Sequence, residues 1–135
     1  MLTNYLALDV GRVRIGVAAA NNIAQIAAPV ATITNDEAVF TTLAALVAEH
    51  QASELVVGWP RGLDGQETAQ TAYVGDFVAD LERELHLPIH LQDEATTSLK
   101  AEAELEQRGK PYEKGDIDSL SAVYILEDYL AEGVH

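Results

Sequence analysis

The chain predicts a single α/β domain built on a five-stranded mixed sheet flanked by helices. Two apolar strands joined by a glycine turn open it, and strands then alternate with amphipathic helices. All of this falls within 135 residues, the size of one core. A hydrophobic content of 48% and a mean hydropathy of +0.02 supply that core and argue against disorder.

Tyr5 to Val10 reads as the first strand, apolar except for Asp9, and Arg14 to Ala20 as the second, reached through Gly11-Arg12-Val13. Strands this close in sequence pair as an antiparallel hairpin. Ala28 to Ile33 is the third strand, with Pro29 near its start, where a missing N–H is tolerated. Thr34 to Glu37 supplies capping residues for a helix running to about His50, with Phe40, Leu43, Leu46 and Val47 at helical spacing. Glu54 to Gly58 is a short buried strand, followed by a loop from Trp59 to Gly65. The next helix is expected from near Gln66 to Leu85, turning Tyr73, Phe77, Val78 and Leu81 inward. Pro88 to Gln92 is the fifth strand, ending in Asp93-Glu94. A short helix capped by Thr97 or Ser98 should run through Glu106, and a last helix from about Gly115–Asp118 to Leu130.

Composition removes several function classes. With no cysteine there is no disulfide framework, thiolate metal site or cysteine nucleophile. No apolar run approaches the roughly 20 residues that span a bilayer, and the start lacks signal-peptide character, so the expectation is a soluble, cytoplasmic chain without membrane contact. The formal charge of −14 disfavours a protein that merely coats nucleic acid. Yet residues 1–75 carry three basic and seven acidic groups against five and fifteen in 76–135, so Arg12, Arg14 and Arg61 lie in the milder half.

Three acids or acid pairs stand out. Asp9 interrupts an apolar strand, where a carboxylate costs several kcal/mol unless donors or a cation compensate it. The turn amides of Gly11 and Arg12 are one such source. Asp93 and Glu94 end another strand, and alternation puts Asp93 with Ile89 and Leu91, and Glu94 with His90 and Gln92. Which of the two looks toward Asp9 stays open. Asp116 suits a helix start, but Asp118 shares the stripe of Ala122 and Ile125 and so needs a partner inside the molecule. Acids brought together from three elements could hold magnesium, and a pair of ions roughly 3.5–4 Å apart clamps the attacking water and the leaving oxygen of a phosphodiester.

Leu6-Ala7-Leu8-Asp9-Val10-Gly11 followed by Arg14-Ile15-Gly16-Val17-Ala18 resembles the opening of the YqgF/RuvX family of Holliday-junction-resolvase-like pre-16S rRNA nucleases. Val56-Val57-Gly58-Trp59-Pro60 with Asp64-Gly65, then Asp93-Glu94, then Lys114-Gly115-Asp116-Ile117-Asp118-Ser119 match its later motifs in order, over essentially the whole chain. The resemblance implies a ribonuclease H-like fold and a nuclease dependent on Mg2+ or Mn2+, two ions in number. It implies Asp9, Glu94 (or Asp93) and Asp118 as catalytic acids, with Asp9, Glu94 and Asp118 as metal ligands. It further implies trimming of the 5′ end of precursor 16S rRNA in bacterial cytosol. Arg12, Arg14 and Arg61 would contact phosphate. The family's Asp-Glu-Arg is here Asp93-Glu94-Ala95, and its Ser-Asp after the second strand is Ala20-Asn21.

Other readings remain beside this one. The nucleic acid could be branched DNA rather than an rRNA precursor. The fold could serve a non-catalytic ribosome-assembly factor acting through protein partners of unknown kind, which the acidity and Ala95 favour. Asp9, Gly11 and Gly16 also resemble the phosphate loop of actin-like ATPases, but those need two such domains. Trp59 and Tyr73 could stack on bases, although core packing accounts for both.

Overall fold

A computed structural model describes residues 1–60, 67–94 and 97–132, with side chains of 97–99 excluded. Strand β1 (Asn4–Val10) pairs antiparallel with β2 (Arg14–Asn21), and β2 with β3 (Ala28–Thr34). Helix α1 (Val39–His50) carries the chain to β4 (Glu54–Pro60), which lies parallel to β1. Helix α2 (Ala69–Leu85) then leads to β5 (Ile89–Glu94), parallel to β4, giving the order β3-β2-β1-β4-β5. Helices α3 (Thr97–Arg108) and α4 (Lys114–Ala131) follow. This is the mixed five-stranded sheet that the sequence predicts.

The two sheet faces are built from different residues. Leu6, Leu8, Ile15, Val17, Leu55 and Val57 point one way and bury Leu43 of α1 and Val74, Phe77 and Leu81 of α2. Each large aliphatic side chain so buried contributes about 1.5–3 kcal/mol. The opposite face is made of small residues, among them Ala7, Gly16 and Ala18, and α4 lies across it through Ala122, Ile125 and Leu126. Small side chains let a helix axis approach a sheet closely, and α3 in turn covers α4 through Ala101 and Leu105.

Several boundaries differ from the sequence reading, for local reasons. Helix α2 starts at Ala69 rather than near Gln66, because Thr68 and Thr71 cap it reciprocally: Thr71 N donates to Thr68 Oγ1 (3.3 Å) and Thr68 N to Thr71 Oγ1 (2.9 Å). Helix α4 starts at Lys114, because Asp116 reaches back to accept the Glu113 amide (2.9 Å). Helix α3 runs on to Arg108, where Arg108 Nη2 meets Glu104 Oε2 one turn earlier (2.8 Å). Strand β4 extends to Pro60 and β5 to Glu94, as Trp59 stands opposite Asp93 and Pro60 opposite Glu94. The acid pair forms the paired end of β5, as the sequence reading places it at the strand's end. The cap expected from Thr97 or Ser98 lies outside the described side chains.

Candidate active site

Asp9 sits one residue before the end of β1, level with Gly16 of β2. On its other side Gly58 of β4 follows Val57, the partner of Leu8. Glycine thus flanks Asp9 on both sides, and each clears space for a different element. A Cβ on Gly16 would lie 1.9 Å from the Asp118 carbonyl oxygen, so the first turn of α4 rests directly on the β2 backbone. A Cβ on Gly58 would lie 2.8 Å from Glu94 Oε1 and 2.6 Å from Ile125 Cδ1. Backbone approach brings the Asp118 turn onto β2 at Gly16, whereas at Gly58 the side chains of Glu94 and Ile125 fill the space that a Cβ would take. Sequence reasoning passed over both glycines; the available signal was glycine inside an apolar strand, which marks a close approach.

The end of α4 is also tied to the far edge of the sheet. Thr32 of β3 donates its hydroxyl to the Gly115 carbonyl (2.5 Å), fixing the helix start across β2. Asp116 is consumed in the helix cap and is exposed, whereas Asp118, half-buried, turns to the sheet. Arg14 Nε donates to Asp118 Oδ2 at 2.7 Å.

Electrostatics record the convergence. Burial first, then the charges of Glu94 and Asp118, push the Asp9 carboxyl up to about 8. Of the two turn amides that could have relieved it, that of Gly11 is used elsewhere, donating to the Arg14 carbonyl (3.0 Å). Asp9 is a half-buried acid with two further acids beside it, a setting that positive charge would relieve.

The β5 register separates the two candidates at its end. Glu94 shares the α4 face with His90, whose ring lies against Tyr129 of α4. Asp93 points to the other face, beside Trp59 and Glu67, and does not join Asp9. The side chains of Asp9, Glu94 and Asp118 come from three rigid elements, and their oxygen donors suit a hard divalent cation. As the side chains stand, no group of three or more His, Asp or Glu among the described residues is set to clasp an ion. Arg14 already holds one of the Asp118 oxygens.

The expected phosphate contacts divide. Arg12 lies on the β1–β2 turn with its guanidinium carbon 4.5 Å from the centre of the Tyr73 ring. Asn35 braces that turn, donating to the Gly11 carbonyl and to the Tyr73 hydroxyl, each at 2.8 Å. Tyr73 is thus a support for Arg12, and Trp59 packs against Gly75 of α2. Arg14 is paired with Asp118 rather than open to solvent on its own. Arg61, with Asp64-Gly65 and Ala95, lies outside the described residues.

The family described as RuvX, Holliday junction resolvase, matches residues 3–132. A protein of Sulfurihydrogenibium sp. (strain YO3AOP1) named "Putative pre-16S rRNA nuclease" is 40% identical over 133 residues, covering 96% of this chain and 90% of that one. One of the same name from Chloroflexus aggregans is 42% identical, covering 93% and 91%. Among solved structures, Thermus thermophilus RuvC in complex with a Holliday junction substrate superposes with a TM-score of 0.62 at 14% identity, covering 98% of this chain and 97% of that one. That likeness identifies the fold, the ribonuclease H-like arrangement expected from the strings. The family match over residues 3–132 and the relatives covered over nine-tenths of their length agree with the motif order around Asp9, and the chain belongs to the RuvX family.

Proposed function

We propose that this chain is a divalent-metal-dependent nuclease that trims the 5′ end of precursor 16S rRNA, with Asp9, Glu94 and Asp118 as its metal-binding acids. The observation that carries the reading is the convergence on Asp9 of Asp118, seated over Gly16, and Glu94, seated over Gly58; desolvation first, then these two charges, raises the Asp9 carboxyl. Folding does not require such an arrangement, and a cation would relieve it. The names of the relatives supply the substrate class.

Asp9, Glu94 and Asp118 would together hold the metal through their carboxylate oxygens. Mg2+ or Mn2+ held there, two ions in the full form of the mechanism, supplies a lowered-pKa water and charge stabilisation at the leaving oxygen. A carboxylate must be deprotonated to hold such an ion, so the raised Asp9 carboxyl would make metal affinity fall as pH is lowered. Arg12, stacked on Tyr73 at the rim, is placed to hold a phosphate of the strand through its planar fork. Cytosolic placement follows from the substrate; no described helix is long and apolar enough to cross a membrane.

The test is cleavage by the purified chain, with and without Mg2+, of a precursor 16S leader RNA and of a four-way DNA junction. Cutting of the RNA at one 5′ position is expected. Cutting of the junction alone would replace the substrate, and cutting of neither in any divalent metal would favour an assembly factor. Glu94→Gln should lower the rate about a hundredfold or more, as loss of a ligand does, while Asp93→Asn stays within about threefold. Equal losses in the two variants would mean that β5 is read in the wrong register.

Binding should respond weakly to salt. A chain of net charge −14 has few cations to place on phosphates. With about 0.7 per neutralised phosphate on single strands, a slope of log K against log salt of about 2–3 in magnitude is expected in metal. A titration of fluorescent RNA between low and physiological salt measures it, and a slope above about 6 would exclude this surface as described.

A further inference from the structure

Among the described residues, Arg14 is a cation paired directly with one of the three acids. It opens β2 two residues before Gly16, on the face that α4 covers, and its Nε stands 2.7 Å from Asp118 Oδ2. The arginine side chain is 40% exposed and the aspartate 21%, so the guanidinium caps the acid from the solvent side. Beside it an open hollow of about 590 Å³, bordered by Arg14, Thr32, Gly115 and Ser119, leaves the guanidinium room to move. The pair offsets the charge of Asp118 and keeps the α4 start docked.

A guanidinium and a hard dication compete for the same carboxylate lone pairs. They are not equivalent toward the rest of the cluster, because a compact dication can also serve Asp9, whereas Arg14 is engaged at the outer acid. An arginine released at this rim keeps a planar set of donors matched to phosphate oxygens.

We infer that Arg14 is a resident counter-cation that is exchanged: it holds Asp118 in the metal-free chain, yields that carboxylate to a divalent ion, and turns to a phosphate of the incoming nucleic acid strand. Arg14 is then a positioning residue that couples metal loading to substrate capture. The exchange rests on the metal-site reading proposed above. It also explains how three acids remain docked together before metal arrives.

The experiment compares the full-length chain with Arg14→Gln in two measurements. Calorimetric titration with Mn2+, in the absence of nucleic acid, should show Arg14→Gln binding roughly fivefold tighter, the scale of a half-exposed ion pair no longer competing. Anisotropy with an uncleavable 2′-O-methyl oligoribonucleotide in Mn2+ should show the same variant binding weaker, its salt slope reduced by about 0.7. Opposite signs in the two assays are the signature, which a merely structural role would not give. Unchanged or weaker Mn2+ binding in the variant overturns the exchange, as does an unchanged RNA salt slope. Failure of both chains to bind Mn2+ overturns the metal site itself, and the exchange with it. Arg14→Lys, which keeps the charge without the fork, carries the same comparison should Arg14→Gln fold poorly; it is expected to hold the RNA slope and to bind Mn2+ between the other two.

Discussion

Asp9→Asn abolishes cleavage and, in metal-free buffer at pH 8, melts at a higher temperature than the unaltered chain. The first half follows from the metal-binding role proposed for Asp9. The second follows from the sign of the Asp9 shift. The folded chain holds this proton up to about 8, while the unfolded chain releases it near 3.8. Between those values folding takes up a proton, so stability falls as pH rises through the window. One proton corresponds to at most about 1.4 kcal/mol per pH unit. Asparagine has the same shape and no charge to bury, so the variant escapes this slope. A gain of about 5 °C or more at pH 8, shrinking toward pH 4, is expected. Saturating Mg2+ should raise the melting temperature of the unaltered chain and leave Asp9→Asn nearly unmoved. A variant that cuts at the normal rate, or that melts lower at pH 8, would refute the assignment of Asp9. In the proposed function the acid is a place where stability is given up for chemistry.

Gly16→Val disrupts the molecule at the same point by a different route. The added Cβ would meet the Asp118 carbonyl oxygen at 1.9 Å and its carbon at 2.2 Å, both backbone atoms that cannot swing aside. Either α4 lifts from β2 or the strand bends, and both pull Asp118 away from Asp9. Overpacking of this kind costs about 1–3 kcal/mol or more, a large fraction of an ordinary stability of about 5–15 kcal/mol. A fall in melting temperature of about 10 °C, with loss of cleavage in whatever folded fraction remains, is the expected outcome. Gly75→Ala is the control, because its Cβ would meet only the Trp59 ring at 3.4 Å. If Gly16→Val melts with that control, α4 does not rest on β2 as described.

Periodicity and spacing were enough for the hairpin, the alternation of strands and helices, and the choice of Asp9 and Asp118 as acids out of place. Those are local properties: an acid inside an apolar strand and an acid on the buried stripe of a helix are visible without partners. The choice between Glu94 and Asp93 was not local. Alternation put them on opposite faces, but only the parallel pairing of β4 with β5 and the seating of α4 decided which face holds Asp9. The same holds for Arg14. As a sequence position it is a cation in the less acidic half, and as a folded one it belongs to an aspartate 104 residues away. Gly16 shows the reason most plainly. Its absent side chain carries no signal of what fills the space, and that space belongs to a helix start from the far end of the chain. Sequence alone therefore determined which residues are costly to leave unpartnered, while the partners were decided by the crossing of α4 over the sheet.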